Sequence, residues 1–75
     1  MEVEGIKYIT AAAAVSISGV AAALGEGWIA AKAMEAMGRN PAVGKDMFVR
    51  MVTAMALVES IAIYGFVTTL IMLFV

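Results

Sequence analysis

Between Met51 and Val75 the chain carries a single charged residue, Glu59, set in the apolar stretch Leu57-Val58-Glu59-Ser60-Ile61-Ala62-Ile63-Tyr64. The run is long enough to cross a bilayer, which takes about 20 residues. A carboxylate inside such a run is costly, and its presence marks a functional site by default. A second apolar stretch, Tyr8 to Ala31, is interrupted only by Glu26. Any fold for this chain must therefore place two apolar crossings and two isolated acids.

The totals agree with a membrane chain. Hydrophobic residues make up 64% and charged residues 15% of 75 residues, whereas soluble domains are about half apolar and a quarter charged. Five Lys and Arg residues, with no basic patch among aromatics, give no footprint for nucleic acid. There is no cysteine and no histidine, which removes disulfides, thiolate metal sites and Ser-His or Cys-His catalysis. A signal-peptide reading of the first apolar stretch fits poorly. No positive leader precedes it, and it exceeds the usual h-region of about 7–15 residues.

Four of the five basic residues, Lys32, Arg39, Lys45 and Arg50, lie in the polar segment between the two runs. Within it Gly38-Arg39-Asn40-Pro41 reads as a turn, with Gly38 suited to a helix C-cap and Pro41 unable to continue the helix. The expected fold is an all-α two-helix transmembrane hairpin forming a single unit, residues 1–75. Helix 1 is expected over about 5–38, a polar loop over 39–43 and helix 2 over 44–75. Basic residues at the loop place it in the cytoplasm and both termini on the outer side.

Folding the chain between Ala42 and Val43 sets residue i opposite residue 85 − i, so Glu26 falls level with Glu59. Glu59 follows Arg50 by nine residues, or about 13 Å at 1.5 Å per residue, well inside the hydrocarbon. Two carboxylates close together in low dielectric do not both ionise, so the pair should hold one proton or a small cation. Ser60 adds a hydroxyl beside Glu59. Tyr64 lies one turn beyond Ser60 and is expected to bring its phenol toward the same carboxylate. Oxygen ligands suit a hard cation such as Na⁺. The plainer alternative has Ser60 bonded to a backbone carbonyl and Tyr64 facing lipid.

On the first helix Gly19, Ala23, Gly27 and Ala31 recur at every fourth position, and Ala21, Ala23, Gly25 and Gly27 alternate. Small residues at this spacing let membrane helices approach closely. Spread over a broad face, they suit a closed homo-oligomeric ring of identical hairpins; one tight dimer face is the alternative.

The small-residue stretch of helix 1 ending Gly25-Glu26-Gly27, the loop Arg39-Asn40-Pro41 and Glu59 at its distance from the loop together resemble the c subunit, or proteolipid, of rotary ATP synthases. The resemblance covers nearly the whole chain. It implies a non-catalytic rotor subunit whose copies close into a ring with the first helices inside. The ring would sit in the plasma (inner) membrane, surrounded by lipid. Glu59 would carry an ion between the two access paths of the stator a subunit, whose arginine displaces it. Arg39, Asn40 and Pro41 would meet the central stalk. A Na⁺-coupled subset of the family has Gln or Glu on the first helix, then Glu-Ser and a Tyr five residues after that Glu. Glu26, Glu59, Ser60 and Tyr64 match it, and the backbone carbonyl of Leu57 is implied as a further ligand. The resemblance thus implies Na⁺, with H⁺ as competitor, held by Glu26, Leu57, Glu59 and Ser60, with Glu26 kept protonated and donating to Glu59. The same ring carrying H⁺ is the alternative, and a self-assembling pore without a motor is a reading of another class. The sequence departs from the family's pattern in three ways. Ile61 stands where Na⁺ members have Thr, Asn40 and Ala42 alter the loop, and Ala replaces part of the glycine run.

Other features have ordinary readings. Trp28 fills space toward a neighbouring helix or faces the inside of the ring. Met47, Met51 and Met55 form a packing stripe, and Lys32 with Glu35 forms a solvated pair.

Overall fold

The structure, a computed structural model, describes residues 2–75. Two helices, α1 (Val3–Arg39) and α2 (Gly44–Phe74), are joined by a 3₁₀ turn over Pro41–Val43. The hairpin is long and thin, 58 × 19 × 7 Å. Both helices are long and apolar enough to cross a membrane. At 58 Å they exceed a hydrocarbon slab of about 30 Å, so they extend past the bilayer surfaces.

α1 begins after Glu2, which is extended and makes no side-chain cap, while Glu4 places a negative charge in the first turn, where it complements the helix dipole. At the other end the helix runs through Gly38, contrary to the expectation of a glycine C-cap. No glycine among the described residues has a positive φ. Asn40 closes the helix instead. Its backbone N–H donates to the Ala36 carbonyl at 3.0 Å, and its Oδ1 accepts from the Ala42 N–H at 3.3 Å. An Asn side chain that bonds two residues ahead stabilises a turn without left-handed backbone. Pro41 then opens the 3₁₀ turn, where its missing N–H costs nothing.

The seam between the helices is made mostly of small residues. Ala11, Ala22 and Ala33 are buried on α1, and Met51, Gly65 and Thr69 on α2. The three alanines are spaced three turns apart, close to the about 3.67 residues per turn that keep one face of a nearly straight helix in register. Lipid tails are as apolar as the seam, so its stability comes from close packing and interhelical bonds, not from escape from water. Gly65 provides the tightest approach: a Cβ built there would lie 2.5 Å from Ser18 Cβ and 3.2 Å from the Ala14 carbonyl oxygen. The Thr69 hydroxyl donates to the Ala11 carbonyl at 2.9 Å. The Ser18 hydroxyl turns back to the Ala14 carbonyl of its own helix at 2.7 Å. Nearer the loop, Gly25 faces Val58 Cγ1, 3.1 Å from where its Cβ would stand.

Among the small residues singled out from the sequence, Gly25 lies in the seam. Gly19 and Gly27 have open space where a Cβ would be, and Ala23 and Ala31 are exposed. That set of residues is left on the surface of the hairpin. Met51 is buried in the seam, and Met47 and Met55 are half-buried, so the methionine stripe packs. The charges near the loop pair on their own helices, Lys32 with Glu35 at 3.6 Å and Arg50 with Asp46 at 2.9 Å.

Candidate functional site

The seam fixes how each helix is rotated, and rotation decides which polar groups meet. Val58 points at Gly25. Its sequence neighbours Leu57 and Glu59 are therefore turned about 100° to either side, given 3.6 residues per turn. Gly65 points at Ser18, and so Tyr64 is turned to the side of Leu57 while Phe66 is turned to the side of Glu59.

The hairpin thus has two flanks of different character. One is grooved. Near the termini a groove is lined by Thr10, Ile17 and Ser18 of α1 with Ile61, Tyr64 and Thr68 of α2. Nearer the loop a second groove on the same flank is lined by Trp28, Lys32, Arg50 and Met51. In each groove the lining residues include those that immediately precede seam residues: Thr10 before Ala11, Tyr64 before Gly65, Lys32 before Ala33, Arg50 before Met51. The opposite flank carries the residues that follow seam residues. On α1 these are small, Ala12, Gly19 and Ala23, and then Glu26; on α2 they include Glu59 and Phe66.

Glu26 and Glu59 therefore share a flank, and their carboxyl groups are close enough to interact across the hairpin. Glu26 is half-buried beside Gly25, and Glu59 is exposed. The sequence count placed the two acids at one depth, and the packing turns them toward each other. The remaining expected ligands lie elsewhere on the same hairpin. Ser60 donates its hydroxyl hydrogen to the Leu57 carbonyl at 2.6 Å, the partner of the plainer sequence reading. With its hydrogen committed, the Ser60 oxygen keeps only acceptor lone pairs for other partners. Leu57, Ser60 and Tyr64 fall within about 60° of one another on α2, and Glu59 is turned about 100–160° away from them. Tyr64 lines the terminal groove and does not stand beside Glu59 of its own hairpin. Each hairpin thus presents a carboxyl pair on one flank and a hydroxyl–carbonyl–phenol set reaching toward the other.

Among the described residues no group of three or more His, Cys, Asp and Glu could hold a metal ion. An ion at Glu26 and Glu59 needs further oxygens from hydroxyl or carbonyl groups, and none of the expected ones comes from the same flank.

Fold and site together define a membrane-spanning hairpin with a paired carboxyl site partway along its apolar length. Residues 9–72 match the ATP synthase C-subunit family. An ATP synthase c subunit from Petrotoga mobilis is 42% identical over 69 residues, covering 92% of this chain and 72% of the relative. One from Dehalococcoides mccartyi is 33% identical over 75 residues, covering 100% of this chain and 99% of the relative. One from Lactobacillus helveticus is 32% identical over 71 residues, covering 95% and 92%.

The chain belongs to the family of ATP synthase c subunits. It is a rotor-ring component of the membrane sector and has no catalytic role of its own.

Proposed function

We propose that this chain carries Na⁺ on Glu59, with the ion site completed between adjacent copies in the ring. The observation behind this reading is the split of the oxygens over two flanks. In a closed ring of identical hairpins every interface is head-to-tail, so one flank of each copy meets the other flank of the next. The Glu26 and Glu59 pair of one copy then faces Leu57, Ser60 and Tyr64 of its neighbour at the same depth. Four oxygen sources converge there: two carboxyl groups, a hydroxyl whose hydrogen is already donated to Leu57, and the Leu57 carbonyl. A hydroxyl in that state offers its lone pairs to a cation. Such a hard-oxygen set is what Na⁺ takes.

The mechanism follows from charge. A bare carboxylate at the middle of a bilayer costs about 2.5–3.5 kcal/mol on insertion scales. With Glu26 protonated and donating to Glu59, a bound Na⁺ leaves the site neutral, and the hairpin can rotate past lipid. Losing the ion restores the negative charge, which is stable only opposite a fixed positive group such as the stator arginine. Rotation is thereby tied to loading at one access path and unloading at the other. In this reading the ring lies in the plasma membrane with its loop, including Arg39, Asn40 and Pro41, on the cytoplasmic side against the central stalk.

The test is carbodiimide labelling of Glu59 in the assembled ring at fixed pH. Added Na⁺ should slow the labelling, and lower pH should raise the Na⁺ concentration needed, since ion and proton compete for one carboxylate. Labelling that responds to pH but not to Na⁺ would assign H⁺ as the cargo instead.

A further inference from the structure

Trp28 is the chain's one tryptophan, and 69% of it is exposed on the isolated hairpin. It stands on the grooved flank with Lys32 and Arg50. The Lys32 ammonium lies 5.4 Å from the centre of its ring, a cation–π distance that holds the ring from the loop side. Side chains on a helix lean toward its N-terminus, so the indole covers the level of Ala23 to Gly27 more than that of residues beyond Trp28. At that level α1 presents exposed Ala23 and half-buried Glu26 on the opposite flank, and Gly27, one step further round toward the back of the helix, has open space at its Cβ position. A bulky side chain and a shallow surface thus lie at one height on opposite flanks of one helix.

Head-to-tail closure brings those two flanks together. We infer that Trp28 of each copy packs against Ala23 and Gly27 of the next and forms the apolar wall beside that copy's Glu26, making it a positioning residue of the ion site. It rests on the ring arrangement used above but not on which ion is carried. Its physical role is to keep water from the Glu26 carboxyl so that the group stays turned toward Glu59, where a drier surrounding strengthens every electrostatic contact. Lys32 sets the ring's orientation through the 5.4 Å contact.

The chain contains no cysteine, so an engineered pair reports its own neighbours. In assembled rings carrying Trp28→Cys and Ala30→Cys, mild oxidation should give a ladder of crosslinked hairpins, because Ala30 lies eleven residues, three turns, beyond Gly19 on the shallow flank. A discrete ring that yields no ladder overturns the placement. For the role at the site, Glu59 labelling by carbodiimide is measured against Na⁺ in Trp28→Ala and Trp28→Phe rings. Loss of an aromatic contact should raise the Na⁺ concentration for half-protection at least about threefold in Trp28→Ala, with Trp28→Phe near the parent. If the parent ring shows no Na⁺ protection, the same comparison is made on the pH of half-labelling, which separates failure of the Na⁺ reading from failure of this one. An unchanged midpoint in Trp28→Ala, of whichever kind the parent shows, overturns the wall.

Discussion

Replacing Gly65 by alanine tests the packing that fixes the rotation of the two helices, and hence which flank Glu59 occupies. Two effects oppose each other. Alanine is the better helix former by about 1 kcal/mol in an interior position, so propensity alone predicts a gain. Against this, the new methyl would stand 2.5 Å from Ser18 Cβ and 3.2 Å from the Ala14 carbonyl oxygen, with Ser18 Oγ closer still. The hydroxyl can rotate away by giving up its 2.7 Å bond to Ala14, but Ser18 Cβ is fixed to the backbone of α1. The helices must therefore separate by about 1 Å, and overpacking of this kind costs about 1–3 kcal/mol, at times more. Separation also stretches the 2.9 Å bond from Thr69 to the Ala11 carbonyl one turn away, an interhelical bond in lipid worth about 0.6–2 kcal/mol. The clash outweighs the propensity, and the net loss should be about 2 kcal/mol per hairpin. The assay is the temperature at which the ring dissociates in detergent, with Ser18→Gly as the second arm of a double-mutant cycle. Gly65→Ala should lower it clearly, and Ser18→Gly with Gly65→Ala should recover most of the loss, since only the Ala14 carbonyl then remains near the methyl. A Gly65→Ala ring as stable as the parent, or a loss that Ser18→Gly leaves untouched, would refute the seam as described.

Further outcomes follow from the same geometry. Gly27→Ala places a methyl in open space within its own hairpin, so any loss of ring stability it causes must come from the contact between copies; comparing detergent dissociation of Gly27→Ala and Gly65→Ala rings separates the two interfaces. Thr69→Val should lower ring stability by about 1 kcal/mol per hairpin in the same assay, leaving Na⁺ protection of Glu59 near the parent because the residue lies well away from the carboxyl pair. Ser60→Ala removes an oxygen that has no spare hydrogen to donate, and should raise the Na⁺ concentration for half-protection about tenfold while leaving the pH dependence of labelling without Na⁺ nearly unchanged; equal shifts in both would point to a proton site. Arg39→Cys in the otherwise cysteine-free chain should react with a membrane-impermeant maleimide only when the cytoplasmic face is open, in inverted vesicles and not in intact cells.

What the amino-acid order determined by itself is the set of properties that depend on counting along the chain. Two apolar runs and the break at Asn40-Pro41 require a hairpin, and the position of the break sets Glu26 and Glu59 at one depth, because antiparallel register is a one-dimensional quantity. The family resemblance was legible for the same reason, since its anchors are residue types at fixed separations. Even the local turn chemistry was read only in part: α1 stops short of Pro41, but Asn40 closes it with a side-chain bond and Gly38 stays helical. The tertiary structure alone decided rotation. Whether Glu59 faces Glu26, and whether Tyr64 stands beside Glu59 or on the far flank, depends on which stripe of each helix lies in the seam. Many small residues competed for that place. Gly25 and Gly65 took it, against Val58 and Ser18, while Gly19 and Gly27 were left outside. A sequence rich in small residues offers several seams of similar apolarity, and the choice among them is made by interlocking shapes such as Ser18 against the bare backbone of Gly65, which no pattern along one helix contains.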